Sequence, residues 1–218
     1  AAADPRIVDC EVAPAAHRQV EIEASLLPYL TAEQHAKLTE QRGVSGEHGG
    51  DLMSEVARYA RVVQRNAEGR YDVIHAHDWM TFPAGAAVSK KLDRPFVVHV
   101  HSCEVDRAGR DTNPRIVEIE QAGLDAADRI VCVSRYTAEQ LRTHYRVKSD
   151  RIRVVHNAVA ASDTPPSRKP LSRLDEPIVL FLGRVTFQKG PNYFLEAARR
   201  VVAVEPRVKF VMAGSGDM

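Results

Sequence analysis

Between Tyr71 and Val155 short apolar runs alternate with segments of helical periodicity, and this alternation confines the chain to one kind of architecture. Tyr71-Asp72-Val73-Ile74-His75 reads as a strand, Phe82 to Leu92 as a helix, and Arg94 to Val100 as a strand. Pro114 opens a helix through Ile116, Ile119, Ala122 and Ala126, and Arg129 to Val133 is the next strand. Ser134 caps a helix from Tyr136 to Tyr145, and Ile152 to Val155 is a strand again. Short apolar strands joined by helical crossovers belong to a parallel sheet, because such a sheet is buried and its strands cannot be linked by tight turns. The prediction is a doubly wound α/β domain with helices on both faces.

The flanks extend this reading. Upstream, short strand candidates lie near Ile7 and from Val20 to Ile22, and Thr31 with Gln34 has the spacing of a capping box. Gly43 to Gly50 is a polar loop. Asp51 caps a helix with the apolar stripe Leu52, Val56, Tyr59 and Val63, ended by Gly69. Downstream, Pro165, Pro166, Pro170 and Pro177 mixed with charged residues mark a surface linker. A second βαβ unit follows: strand Ile178 to Leu182, loop Gly183 to Gly190, helix Pro191 to Val204 and strand Val208 to Ala213. The domain reading is therefore 1–160, a linker over 161–177, and the opening of a second domain over 178–218.

Composition excludes several classes. Thirty Lys+Arg against 29 Asp+Glu leave a net charge of +1, with no field to recruit nucleic acid or an anionic membrane. The longest apolar runs fall far short of the ~18 residues of a membrane span. Cys10, Cys103 and Cys132 are few and widely spaced, which argues for a reducing compartment, with the cytoplasm as the expectation. The opening Ala-Ala-Ala-Asp-Pro runs straight into Arg6-Ile7-Val8, and Val208 to Ala213 at the other end would leave a bare sheet edge. The expectation is a piece of a protein lacking both ends.

Three features could carry chemistry. Gly183-Arg184 to Lys189-Gly190-Pro191 joins a buried strand to a helix, at the strand's carboxyl end where open α/β sheets bind ligands. Arg184 offers a planar fork and Lys189 a point charge, together able to neutralise a diphosphate, although a solvated loop with chance basic residues fits the spacing equally. The second feature is two His-x-His pairs, His75/His77 and His99/His101, the first followed by Asp78. Residues two apart in a strand share a face, so these pairs read either as metal ligands or as His75 and His99 facing the interior with His77, Asp78 and His101 past the strand ends. No further ligand cluster with zinc-like spacing accompanies them. The third is Glu104 with Asp106, which could serve as an acid/base pair, although neighbours in a charged loop more often form a solvated face. Gly214-Ser215-Gly216 is a weak signal that gains value beside the basic loop.

Taken in order, Tyr71 to Trp79, the strand ending at His101, Val131 to Ser134, Val154 to Ala158, Phe181 to Gly190 and Met212 to Gly216 resemble motifs of the family 4 retaining glycosyltransferases, the glycogen synthase type. The resemblance implies the GT-B fold: a Rossmann-like N-terminal domain, here without its first strand, and the start of a second. It implies transfer of a sugar from a nucleotide diphosphate sugar, such as a UDP- or ADP-sugar, to a carbohydrate or other acceptor. Arg184 and Lys189 match the pair that holds the donor diphosphate, within the loop bounded by Gly183 and Gly190. Gly214 and Gly216 match a loop near the nucleotide. His101 matches a histidine that contacts the transferred sugar, Asp78 an acidic residue on the acceptor side, and Asn157 a structural position. No cofactor or metal is expected, and membrane contact only if the acceptor is a lipid.

The departures are the glycine-rich loop of the first strand, which is missing, and the family's paired glutamates, which would lie beyond Met218. Turnover by the isolated chain is therefore not expected, since catalysis needs its groups positioned together. Two other readings stay open: a metal-dependent hydrolase built on the histidine pairs, and a non-catalytic nucleotide- or sugar-binding module.

Overall fold

The computed structural model describes Ile22, Leu26 and residues 52–109, 111–159 and 176–216. The strand candidates near Ile7 and Val20, the Thr31 capping box, the polar loop before Asp51 and most of the Pro-rich linker lie outside the described residues. Ile22 itself is in no strand.

Helix α1 spans Leu52–Asn66 and ends before Gly69, and Lys91 donates to the carbonyls of Gln64, Arg65 and Ala67 at 2.8, 3.2 and 3.0 Å. An ammonium at a helix C-terminus satisfies its last carbonyls and complements its dipole. Then come β1 (Ile74–His77), α2 (Phe82–Leu92), β2 (Phe96–Val100), α3 (Glu104–Ala108), α4 (Pro114–Ala126), β3 (Arg129–Cys132), α5 (Arg135–His144) and β4 (Ile152–Val154). The caps act as the sequence predicts: Ser134 Oγ accepts the Thr137 N–H at 3.0 Å, and Pro114 begins α4 behind Asn113, whose side chain accepts the Arg115 N–H. β1 runs from Ile74 to His77 rather than from Tyr71 to His75, so His77 lies in the strand and not in a loop beyond it.

The strands form a parallel sheet in the order β1-β2-β3-β4. Successive strands advance in one direction, and right-handed crossovers then put α2 to α5 on the same face. Ala76, Val98, Val100, Ile130 and Cys132 are buried on that face with Phe82, Phe96, Leu124 and Leu141, the core of this unit. On the opposite face His75 and His77 are exposed, and Val97, His99 and Val131 are half-buried. Among the described residues this sheet is thus wrapped on one face.

A second parallel sheet pairs β5 (Ile178–Leu182) with β6 (Lys209–Ala213), joined by α6 (Pro191–Val202). Phe194 of α6 lies over it, its ring centroid 5.4 Å from Phe181 and 5.6 Å from Phe210. Edge and tilted contacts of this kind add to the apolar burial.

Candidate functional site

The carboxyl end of β1 turns sharply at Asp78, whose φ of 58° is left-handed, a conformation that Asp tolerates better than most residues. Thr81 Oγ1 holds the turn by donating to the His77 carbonyl at 2.6 Å, and the Asp78 N–H continues the ladder to the His99 carbonyl at 3.0 Å. Asp78 Oδ1 in turn accepts the backbone N–H of His101 at 2.8 Å. Asp78 and His101, singled out separately in the sequence, are therefore fastened to each other.

The register sets His77 opposite His99, so the two His-x-His pairs become one quartet on the face of the sheet opposite α2 to α5. The rings stack, with centroids 4.6 Å apart for His75 and His77, 4.9 Å for His77 and His99, and 4.5 Å for His99 and His101. His77 Nδ1 and His101 Nε2 share a hydrogen bond of 3.0 Å. Desolvation, with the neighbouring imidazoles His101, His77 and His75, lowers the pKa of His99 to about 4, and desolvation also lowers that of His75. One potential ligand nitrogen from each of His75, His77 and His99 falls within 4.8 Å of the other two.

Beyond His101 the chain enters a buried polar network that the sequence reading missed. Glu104 is not on a solvated face: it is 6% exposed, and its Oε1 accepts the Asn113 N–H at 3.0 Å. Glu120 receives the Glu104 N–H on both oxygens, Arg107 at 2.6 Å and the Tyr145 hydroxyl. Arg107 also donates to the Ser102 carbonyl at 2.7 Å. Burial pushes the Glu120 carboxyl up against the pull of Arg107. Asp106 accepts from the N–H and thiol of Cys103, capping α3. The network fixes the segment that carries His101. Its one legible signal was the Glu104/Arg107 spacing of three residues.

In the second sheet, Gly183 donates to the Ala213 carbonyl at 3.1 Å and Val185 to the Ser215 carbonyl at 3.0 Å, and Val185 pairs with Gly216 in a parallel bridge. The loops after β5 and β6 are thereby zipped together. A Cβ on Gly214 would collide with the Gly183 carbonyl oxygen, and one on Gly216 with that of Val185. Phe187–Lys189 forms a 3-10 turn ending at Gly190, left-handed at φ 63°, from which Pro191 starts α6. Arg184 and Lys189 thus flank a helix N-terminus at the carboxyl end of β5. The 3-10 turn packs against α3, where the Phe187 ring comes within 3.2 Å of the position a Cβ on Gly109 would take.

Two parallel α/β units, each with its candidate residues at the carboxyl ends of its strands, fit the GT-B fold. Solved structures agree on that fold: HepE of Anabaena in complex with UDP and glucose (TM-score 0.53, 18% identity, 84% of this chain and 51% of that one) and TarM (TM-score 0.52, 15% identity, 77% and 32%). Residues 17–163 match Glycosyltransferase Family 4, and residues 163–218 match Glycosyl transferases group 1. The chain belongs to glycosyltransferase family 4. Relatives include an uncharacterized glycosyltransferase of Methanocaldococcus jannaschii (30% identical over 162 residues, 68% of this chain) and D-inositol 3-phosphate glycosyltransferase 1 of Catenulispora acidiphila (31% over 170 residues, 70% of this chain). The chain spans 41% of the length of either relative. Among the described residues no helix is long and apolar enough to cross a membrane.

Proposed function

We propose that this chain is part of an enzyme of the glycogen synthase type, transferring a sugar from a nucleotide diphosphate sugar, such as a UDP- or ADP-sugar, to a carbohydrate or other acceptor with retention at the anomeric carbon. The observation that carries the proposal is the loop from Gly183 to Gly190, zipped to Gly214–Gly216 and ending on the left-handed Gly190 at the start of α6. Such a loop presents a helix dipole and room for close backbone approach to an anion. Arg184 and Lys189 add fixed positive charge where a diphosphate leaving group accumulates negative charge, so the transfer needs no metal ion. Gly214 and Gly216 lie next to the nucleotide. His101, held by Asp78 and bonded to His77, contacts the transferred sugar, and Asp78 lies toward the acceptor.

The chain spans 41% of its relatives' length, so the activity is that of the whole protein, and the isolated chain is expected to give no turnover. In the whole enzyme, Lys189→Ala should lower kcat by roughly 10²-fold or more with little change in thermal stability. Chelators should leave the rate unchanged, and NMR of the product should show the donor's anomeric configuration. Parallel losses of folding and rate in Lys189→Ala would overturn the role, and an inverted product would overturn retention.

A further inference from the structure

We propose that His75, His77 and His99 bind one divalent transition-metal ion of the zinc class on the face of the first sheet opposite α2 to α5. The inference rests on the geometry of this face and stands whether or not the chain takes part in sugar transfer.

Two independent observations meet here. The first is convergence: the register of β1 on β2 places three imidazoles together, with ligand nitrogens within 4.8 Å of one another. A tetrahedral centre with Zn–N bonds of ~2.0–2.1 Å separates its nitrogens by ~3.3 Å, so an ion held here draws the three rings closer than the 4.8 Å within which they already lie. The second is an orphan: both ring nitrogens of His99 are shut off from solvent and have no hydrogen-bond partner. A buried polar atom left unsatisfied is costly, and an unobserved ion or water is a recurrent reason for one.

The neighbouring histidine completes the arrangement. His77 Nδ1 is bonded to His101 Nε2 at 3.0 Å, which leaves His77 Nε2 as the ligand atom. A second residue bonded to the other ring nitrogen is the usual way in which a ligating histidine is oriented and its tautomer fixed. Three imidazoles and no carboxylate select zinc, copper or nickel over magnesium or calcium. His75 and His77 are exposed, so an ion can enter from solvent and keep water at its remaining position.

The test uses the whole chain without a histidine tag, titrated with Zn²⁺ by calorimetry and with Co²⁺ by visible absorption. One equivalent should bind, with the intense visible bands of four-coordinate cobalt. His75→Gln and His99→Ala should each weaken binding by more than about tenfold, the loss that removing a mere outer partner can already cause. His144→Ala and His156→Ala should leave binding unchanged. His75 is exposed, so His75→Gln keeps the fold, as circular dichroism would verify. No saturable binding by the wild-type chain, or binding undiminished in folded His75→Gln, would overturn the proposal.

Discussion

The Asp78 carboxylate receives the backbone N–H of His101 at 2.8 Å, tying the carboxyl end of β1 to that of β2. Asp78 also carries a left-handed backbone, with φ 58°. Asp78→Ala removes a charge-assisted bond and places a Cβ residue with no local polar contact in that conformation. It should cost about 2 kcal/mol in urea denaturation. Asp78→Asn keeps an acceptor and tolerates the conformation, so its loss should be under about 1 kcal/mol. Equal losses would show that a neutral acceptor at this position does nothing to hold His101.

The glycines of the second sheet are not equivalent. Gly214 has φ 151° and faces the Gly183 carbonyl, whereas a Cβ on Gly183 would meet nothing within 4 Å. Gly214→Ala should destabilise the β5–β6 unit by about 1–3 kcal/mol, the range for forced overpacking. Gly183→Ala should stay within about 0.5 kcal/mol of wild type. Hydrogen exchange of the Gly183 and Val185 amides reads the difference directly.

Arg107 and Glu120 form a nearly buried pair at 2.6 Å, with side chains 12% and 4% exposed. Arg107→Ala strands a buried carboxylate and should cost about 3–5 kcal/mol by denaturant titration. Adding Glu120→Gln should recover part of that loss, because the uncompensated charge goes with it. A double variant no better than the single one would place the cost in packing alone.

Cys103 and Cys132 are buried, and desolvation pushes their thiols up to about 12 and about 11 from an ordinary 9.0. At pH 8 both should resist alkylation in the folded chain and react once urea is added, as peptide mass spectrometry would show. The sign for stability follows. The unfolded chain releases these protons first, so stability should decline as pH rises above 9 toward 11 and 12. Rapid native labelling at either cysteine would contradict the burial.

Much of the fold was legible because it is written in local chemistry. Phe82–Leu92 and Ile178–Leu182 have the bounds that periodicity assigns them, and Pro114, Ser134 and Pro191 start their helices by constraints that act over a few residues. The Gly183–Gly190 loop was legible for the same reason. Glu104 was not. Its neighbours are charged, and only Glu120, sixteen residues on in α4, makes its position a buried one.

The histidines divide the two contributions most clearly. Period two in a strand puts His75 with His77 and His99 with His101 from the sequence by itself, because alternate side chains share a face. Strand register is a long-range property, set by which apolar residues bury together on the opposite face: Ala76 beside Val98, and Val98 beside Ile130. That burial slides His77 level with His99 and turns two separate pairs into one stack. The residues and their spacing were determined locally, and their meeting was decided by the packing of a face on which none of them lies.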